Sequence, residues 1–139
     1  MAMTMHVDIV SAESEIFSGT VTECYAPASQ GEVGIFPHHA PMLTTLGPGE
    51  VRVVDQSGES QSFFVSSGIL EVQPHVVTIL SDTTMRAADI DEAAALEAKA
   101  RAEAALQDHA ADMDYARAQA DLAQAAALVE TIKKVKRRS

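Results

Sequence analysis

Two adjacent histidines, His38 and His39, stand between Pro37 and Pro41 in the stretch GEVGIFPHHAPMLTTLGPGEV. Imidazole is the side chain best suited to binding a metal or moving a proton near neutral pH. With His75, and a carboxylate from Glu32 or Asp82, the pair has the makings of a metal centre. Neighbouring side chains on an extended backbone point to opposite sides, however, so His38 and His39 do not readily chelate one ion together. His75, in the turn QPHV, has no fixed sequence relation to either. Nucleophilic chemistry has less to draw on, because the chain contains no G-x-S-x-G elbow and no phosphate-binding glycine loop. Its single cysteine, Cys24, sits in the alternating run VTECY and reads as a strand residue. A lone cysteine also excludes an internal disulfide and a cysteine-based zinc cluster, and suits a reducing compartment. Recognition is what remains for the histidine stretch. Gly31, Gly34, Pro37 and Pro41 hold a loop that displays Glu32 and a histidine to a partner, with less entropy to lose on binding.

The elements that must position this loop fall into two halves. From Val7 to Leu80 short apolar runs (HVDIVS, SEIFSG, TVTECYA, GIF, EVRVV, SFFVSSG, ILEVQ, VVTILS) alternate with turn signals such as DQSG and QPHV. That spacing predicts a small antiparallel β-sandwich or barrel over residues 1–85. The texture then changes. Between residues 87 and 130, nineteen of forty-four residues are alanine, with neither glycine nor proline, a strongly helical composition. Asp89 and Glu92 have capping-box spacing, so a helix is expected to start near Ile90 and run to about Gln107. A second N-cap falls at Asp112, followed by one apolar stripe of Tyr115, Ala118, Leu122, Ala125, Val129 and Ile132. Residues 86–139 are thus expected to form an antiparallel helical hairpin, giving an α+β chain overall. Its interface is largely alanine methyls, each worth about 0.8 kcal/mol against roughly 1.5–3 for a large apolar side chain. The hairpin should therefore keep its helices while docking weakly.

Charge separates the halves further. The 139-residue chain carries a formal charge of −10, and residues 1–85 hold ten acidic groups and one base, Arg52. Nucleic acid is accordingly not an expected partner. Five bases crowd the end: Lys133, Lys134, Lys136, Arg137 and Arg138. They exceed what the helix dipole needs at a C-terminus and suit an acidic surface on a partner. The opening MAMTMHVDIV has no basic flank before a long apolar run, and nowhere do roughly eighteen uncharged apolar residues run together. The expectation is a soluble, cytoplasmic chain whose membrane connection comes through a partner, without direct insertion.

The motif GEVGIFPHHAPMLTTLGPG resembles the most recognisable segment of the epsilon subunit of bacterial F-type ATP synthase, where glycine, an acid, glycine and I-x-P-x-H-x-P-x-L fall in the same order. The opening MAMTMHVDIVSAE with FSG, the later SSGILEVQP and VTILSDT, and DIDEA with MDYARAQADLAQA extend the resemblance over essentially the whole chain. It implies a β-sandwich followed by a helical hairpin. It also implies a non-catalytic rotor subunit that, with the gamma subunit, forms the central stalk turning with the membrane c-ring at the cytoplasmic face of a bacterial inner membrane. Carried over, the loop from Gln30 to His39 is the c-ring contact, with Glu32 foremost, His39 in the family's histidine position and His38 in the variable one. The hairpin lies against the sandwich or extends along gamma into the catalytic head and inhibits ATP hydrolysis, with the five tail bases meeting acidic segments of the alpha and beta subunits. Cutting the chain near Thr84 should abolish that inhibition. Some family members bind ATP through I/L-D-x-x-R-A. Here Asp91 is retained but Ala94 replaces the arginine, removing the planar cation suited to phosphate, so no cofactor is expected. Two other classes stay open on the residues alone: a free-standing sandwich-and-hairpin adaptor, and a histidine-dependent metalloenzyme.

Overall fold

A computed structural model describes residues 3–107 and 112–138. Ten strands come first: β1 Met5–Ser11, β2 Glu15–Val21, β3 Glu23–Ala28, β4 Gly31–Ile35, β5 Met42–Leu46, β6 Gly49–Val54, β7 Ser60–Val65, β8 Gly68–Val72, β9 Val76–Ser81 and β10 Thr84–Arg86. They are ordered β10-β7-β6-β3-β5-β8-β9-β1-β2, with β4 paired on β3. The alternating residues enclose one core: Met5, Val7 and Ile9 of β1, Cys24 and Ala26 of β3, Val51 and Val53 of β6, and Val77 and Ile79 of β9 all point inward, as period-2 alternation requires. Burial pushes the Cys24 thiol up to about 12, which fits an inert strand position.

Three features differ from the sequence reading. β1 and β9 pair in parallel, His6 beside Val76 through Ser11 beside Ser81, within an otherwise antiparallel sandwich. Strands this far apart in the chain are not obliged to run opposite ways, as hairpin-linked neighbours are. β5 begins just past the loop held by Gly31, Gly34, Pro37 and Pro41 and is not among the strands the sequence suggests; its outward residues include the 70 % exposed Leu43, so polar/apolar alternation does not reveal it. β10 is only three residues long, too short to carry a pattern, and it straddles position 85.

The helices follow as a 3₁₀ turn at Ala87–Asp89, then α1 Glu92–Gln107 and α2 Asp112–Arg138. Asp89 is spent in the 3₁₀ turn, which the Ile90 N–H closes on the Ala87 carbonyl. The N-cap of α1 is instead Asp91, whose Oδ1 accepts the Ala94 N–H at 3.2 Å. Asp112 is the first residue of α2, and the DHAAD breaker between the helices falls mostly outside the described residues. α1 and α2 run antiparallel, with Glu92 at the start of one meeting Lys136 at the end of the other. Of the expected stripe Ala118, Ala125, Val129 and Ile132 are buried, whereas Tyr115 is exposed. The apolar centre of the hairpin is small: Ala95, Val129 and Ile132, with Ile90 and Leu128 against them. Its other contact is to the outer face of β6 and β7. Phe64 points away from the sandwich core there and is nevertheless fully buried.

Candidate functional site

The residues singled out from the sequence separate into two places. β4 forms a hairpin with β3 through a two-residue turn, Ser29–Gln30, with Ala28 opposite Gly31 and Glu32 opposite Pro27. Gly31 has φ 132, a conformation that favours glycine. The stretch from Gln30 to His39 is therefore a hairpin tip, a strand and a second turn rather than one loop. Glu32 and the turn before the histidines lie at opposite ends of β4, roughly 13 Å apart at 3.3 Å per residue. At the first end Gln30 and Glu32 are exposed, and Glu32 borders a cleft shared with Pro27, Glu50, Glu130 and Lys134.

At the other end His38 is a non-glycine residue with φ 66, a backbone state that costs energy and needs support. Its N–H donates to the Pro74 carbonyl at 2.9 Å, and its ring meets His75 edge to face, centroids 4.9 Å apart. His39 turns elsewhere: its Nδ1–H donates to the Ala40 carbonyl at 2.7 Å. The structure thus supplies the relation between His38 and His75 that the sequence lacks. Glu32 remains at the far end of β4, and Asp82 receives the Ser67 hydroxyl at 3.3 Å. Among the described residues no group of three or more His, Cys, Asp or Glu side chains is placed to hold a metal. A Ser–His–Asp group does exist on β1 and β2, where His6 Nε2 lies 2.9 Å from Asp8 Oδ1 and 3.0 Å from Ser18 Oγ. Ser18 gives its hydrogen to Asp8 at 2.7 Å and is not aligned as a nucleophile.

The tail bases are engaged along the hairpin. Lys136 pairs with Glu92 and Arg137 with Glu130 at 3.0 Å, while Lys133 is exposed. Arg138 reaches the sandwich and grips Glu50 of β6 with both nitrogens, at 2.5 and 2.9 Å. The Glu50 side chain is 3 % exposed. Burial alone pushes its carboxyl up, but hydrogen bonds from Arg138 and Ser62 and the charges of Arg138 and Lys134 outweigh burial and hold it below the ordinary value. A carboxylate depressed in this way stabilises docking above its ordinary pKa of 4.5, and the contribution disappears as pH falls through the docked value. Acidification below pH 4.5 should therefore loosen the hairpin from the sandwich. Amide exchange in β6 and β7, followed against pH, checks this.

Two features escaped the sequence. Glu50 is an ordinary acid in an apolar strand until the topology sets it under α2. The second feature is a set of exposed apolar residues on the outer face of β5, β8 and β9: Leu43, Ile69, Val76 and Leu80; Ile69 lies beside Leu80 in the register, while Leu43 lies beside Glu71. A signal was present, since ILEV and VVTIL carry apolar residues on successive positions, and such runs want cover on both faces.

A β-sandwich followed by an antiparallel helical hairpin that packs on its outer face is the class of architecture these elements define. Comparison with known proteins gives the particular family. Residues 4–87 match the model described as ATP synthase, Delta/Epsilon chain, beta-sandwich domain, and residues 88–133 its long alpha-helix domain. The ATP synthase epsilon chain of Nitrosococcus oceani is 63 % identical over 138 residues, 99 % of each chain, and that of Thioalkalivibrio sulfidiphilus is 60 % identical over 138 residues, 99 % of this chain and 98 % of that one. A chain of the Euglena gracilis mitochondrial ATP synthase shares the fold, with TM-score 0.83 at 19 % identity over 95 % of this chain and 81 % of that one. A chain of the Tetrahymena thermophila mitochondrial central stalk and c-ring does so with TM-score 0.63 at 11 % identity, over 92 % of this chain and 96 % of that one. The chain belongs to the epsilon-chain family of ATP synthase, a non-catalytic subunit of that enzyme. Among its described residues no helix is long and apolar enough to cross a membrane.

Proposed function

We propose that this chain works in the central stalk of a proton-translocating F-type ATP synthase, turning with the gamma subunit and the c-ring so that proton flow is coupled to ATP synthesis. It sits peripherally at the cytoplasmic face of the bacterial inner membrane. In this reading the two parts divide the labour. Residues 1–85 bind gamma and the c-ring, and residues 86–139 brake ATP hydrolysis by leaving the sandwich and reaching the alpha and beta subunits. The observation that supports the reading is how the hairpin is held: the apolar cluster of Ala95, Val129 and Ile132 joins α1 to α2 and moves with them, whereas α2 meets the sandwich over the outer face of β6 and β7, where Arg138 holds Glu50, so modest differences in partner contact can exchange docked and released forms.

The contact with gamma is best supported at the outer face of Leu43, Ile69, Val76 and Leu80, an apolar surface of the kind that marks protein interfaces. Gln30 and Glu32 at the β3–β4 tip, with His38 and His39 at the far end of β4, are the c-ring contacts. The tail bases Lys133, Lys134, Lys136, Arg137 and Arg138 meet acidic segments of the catalytic subunits when the hairpin extends. No ATP is sensed by the isolated chain, since Ala94 stands in the arginine position and Asp91 is occupied as a helix cap. Replacing Glu32 by cysteine in the assembled synthase should allow an oxidative cross-link to cysteines placed in the polar loops of the c-ring, while the same substitution at Ser57, on the exposed β6–β7 turn, should not. Equal cross-linking from both positions would dismiss the assignment of Glu32.

A further inference from the structure

We propose that the last turn of α2 is a latch, in which Arg138 closing on Glu50 sets the balance between docked and released hairpin. The proposal deepens the braking role given above, but the docking it concerns is measured on the isolated chain. Among the ion pairs between described residues, Lys136–Glu92 joins the two helices and Arg137–Glu130 lies within α2, so both travel with the hairpin when it moves. Arg138–Glu50 is the pair that crosses from hairpin to sandwich.

Its geometry is of the strong kind. Two parallel N–H···O bonds match the guanidinium fork to the carboxylate, which a lysine could not reproduce. Glu50 lies on the outer face of β6 opposite Phe64 in the β6–β7 register, and both are buried, so the carboxylate end of the pair is shielded from salt, while the Arg138 side chain stays 39 % exposed. The groups around it favour closure: Lys134 from α2 and Ser62 from β7 act on Glu50, and Glu32 from β4 adds a second negative charge near Arg138. When α2 lifts, Glu50 regains water, which limits what the latch can contribute. A contact of moderate strength is what a reversible brake requires.

Spin labels at Ser57→Cys on the β6–β7 turn and Ala123→Cys on the exposed side of α2 leave the buried Cys24 unlabelled and report the separation of sandwich and hairpin in the full chain. The unmodified tail should give chiefly one short distance. Arg138→Gln should raise the released-to-docked ratio at least tenfold, Glu50→Gln should do the same, and the double variant should exceed neither. Arg137→Gln, whose partner lies on its own helix, should leave the distances unchanged. An unaltered distribution in Arg138→Gln, an equal response to Arg137→Gln, or additive effects of the two latch substitutions would each overturn the proposal. Failure of the chain to bind a synthase would not move these distances, so the latch and the wider reading can fail separately.

Discussion

Gly68→Ala should cost the sandwich about 3 kcal/mol, a large part of what a domain of this size has to lose. A Cβ at Gly68 would lie 1.8 Å from the Leu80 carbonyl oxygen and 2.9 Å from the Ser81 Cα. These are backbone atoms of the paired strand, and they cannot rotate away as a side chain can. Gly68 is paired on both sides, with Leu46 of β5 and Ser81 of β9, so relief requires two ladders to part. Those ladders carry the chain from the β3–β5 junction to β1, and the core residues Leu46, Leu70, Val72, Val77 and Ile79 ride on them. Gly47 is the matched control: nothing lies within 4 Å of its added Cβ, and Gly47→Ala should be nearly neutral. In urea unfolding the Gly68 variant should lose roughly 2 M in midpoint. Similar midpoints for the two variants would refute the packing argument.

The second large effect is on regulation. Ending the chain after Arg86 should leave a folded sandwich that no longer inhibits ATP hydrolysis. Every member of the main core cluster lies between Met5 and Ile79, and the hairpin contributes none of them. The position of the cut matters. A cut at Thr84, which the sequence suggests, would sever β10, where Met85 pairs with Phe64 and Arg86 with Phe63 and where the Arg86 guanidinium donates to the Ile16 carbonyl at 2.6 Å. Ending at Arg86 keeps all ten strands. It also uncovers Phe64, so some loss of solubility accompanies the loss of the brake. Titrated into a catalytic head lacking its epsilon chain, the full chain should slow hydrolysis and the chain of residues 1–86 should not. Inhibition by both would move the brake into the sandwich.

Much of this architecture could be read from residue order, and the parts that could not share a physical cause. Strands such as β1 and β3 were visible because one face is buried and the other wet, so Val7, Ile9, Cys24 and Ala26 alternate with polar neighbours. β5 was hidden because Leu43 breaks that rule on a face that a partner would cover. The helices were plain from alanine content, but the cap moved from Asp89 to Asp91, since two acids two residues apart compete for one role and only three-dimensional context decides. The recognition segment was legible as chemistry and illegible as shape. Proline and glycine suggested a single loop, whereas pairing of β4 with β3 divides Glu32 from His38 and His39. Glu50 could not have been picked at all, because its importance comes from a residue 88 positions away.

ATP-driven proton pumping tests most directly whether this chain is a coupling and regulatory subunit of a rotary synthase. Membrane vesicles from the same organism, stripped of their own epsilon chain, would be supplied with the full chain while pumping and bound protein are followed together. Recovery of pumping that saturates as the chain binds, at about one copy per complex, is the predicted result. Vesicles that neither bind the chain nor recover pumping would contradict the account and return the free-standing adaptor to consideration.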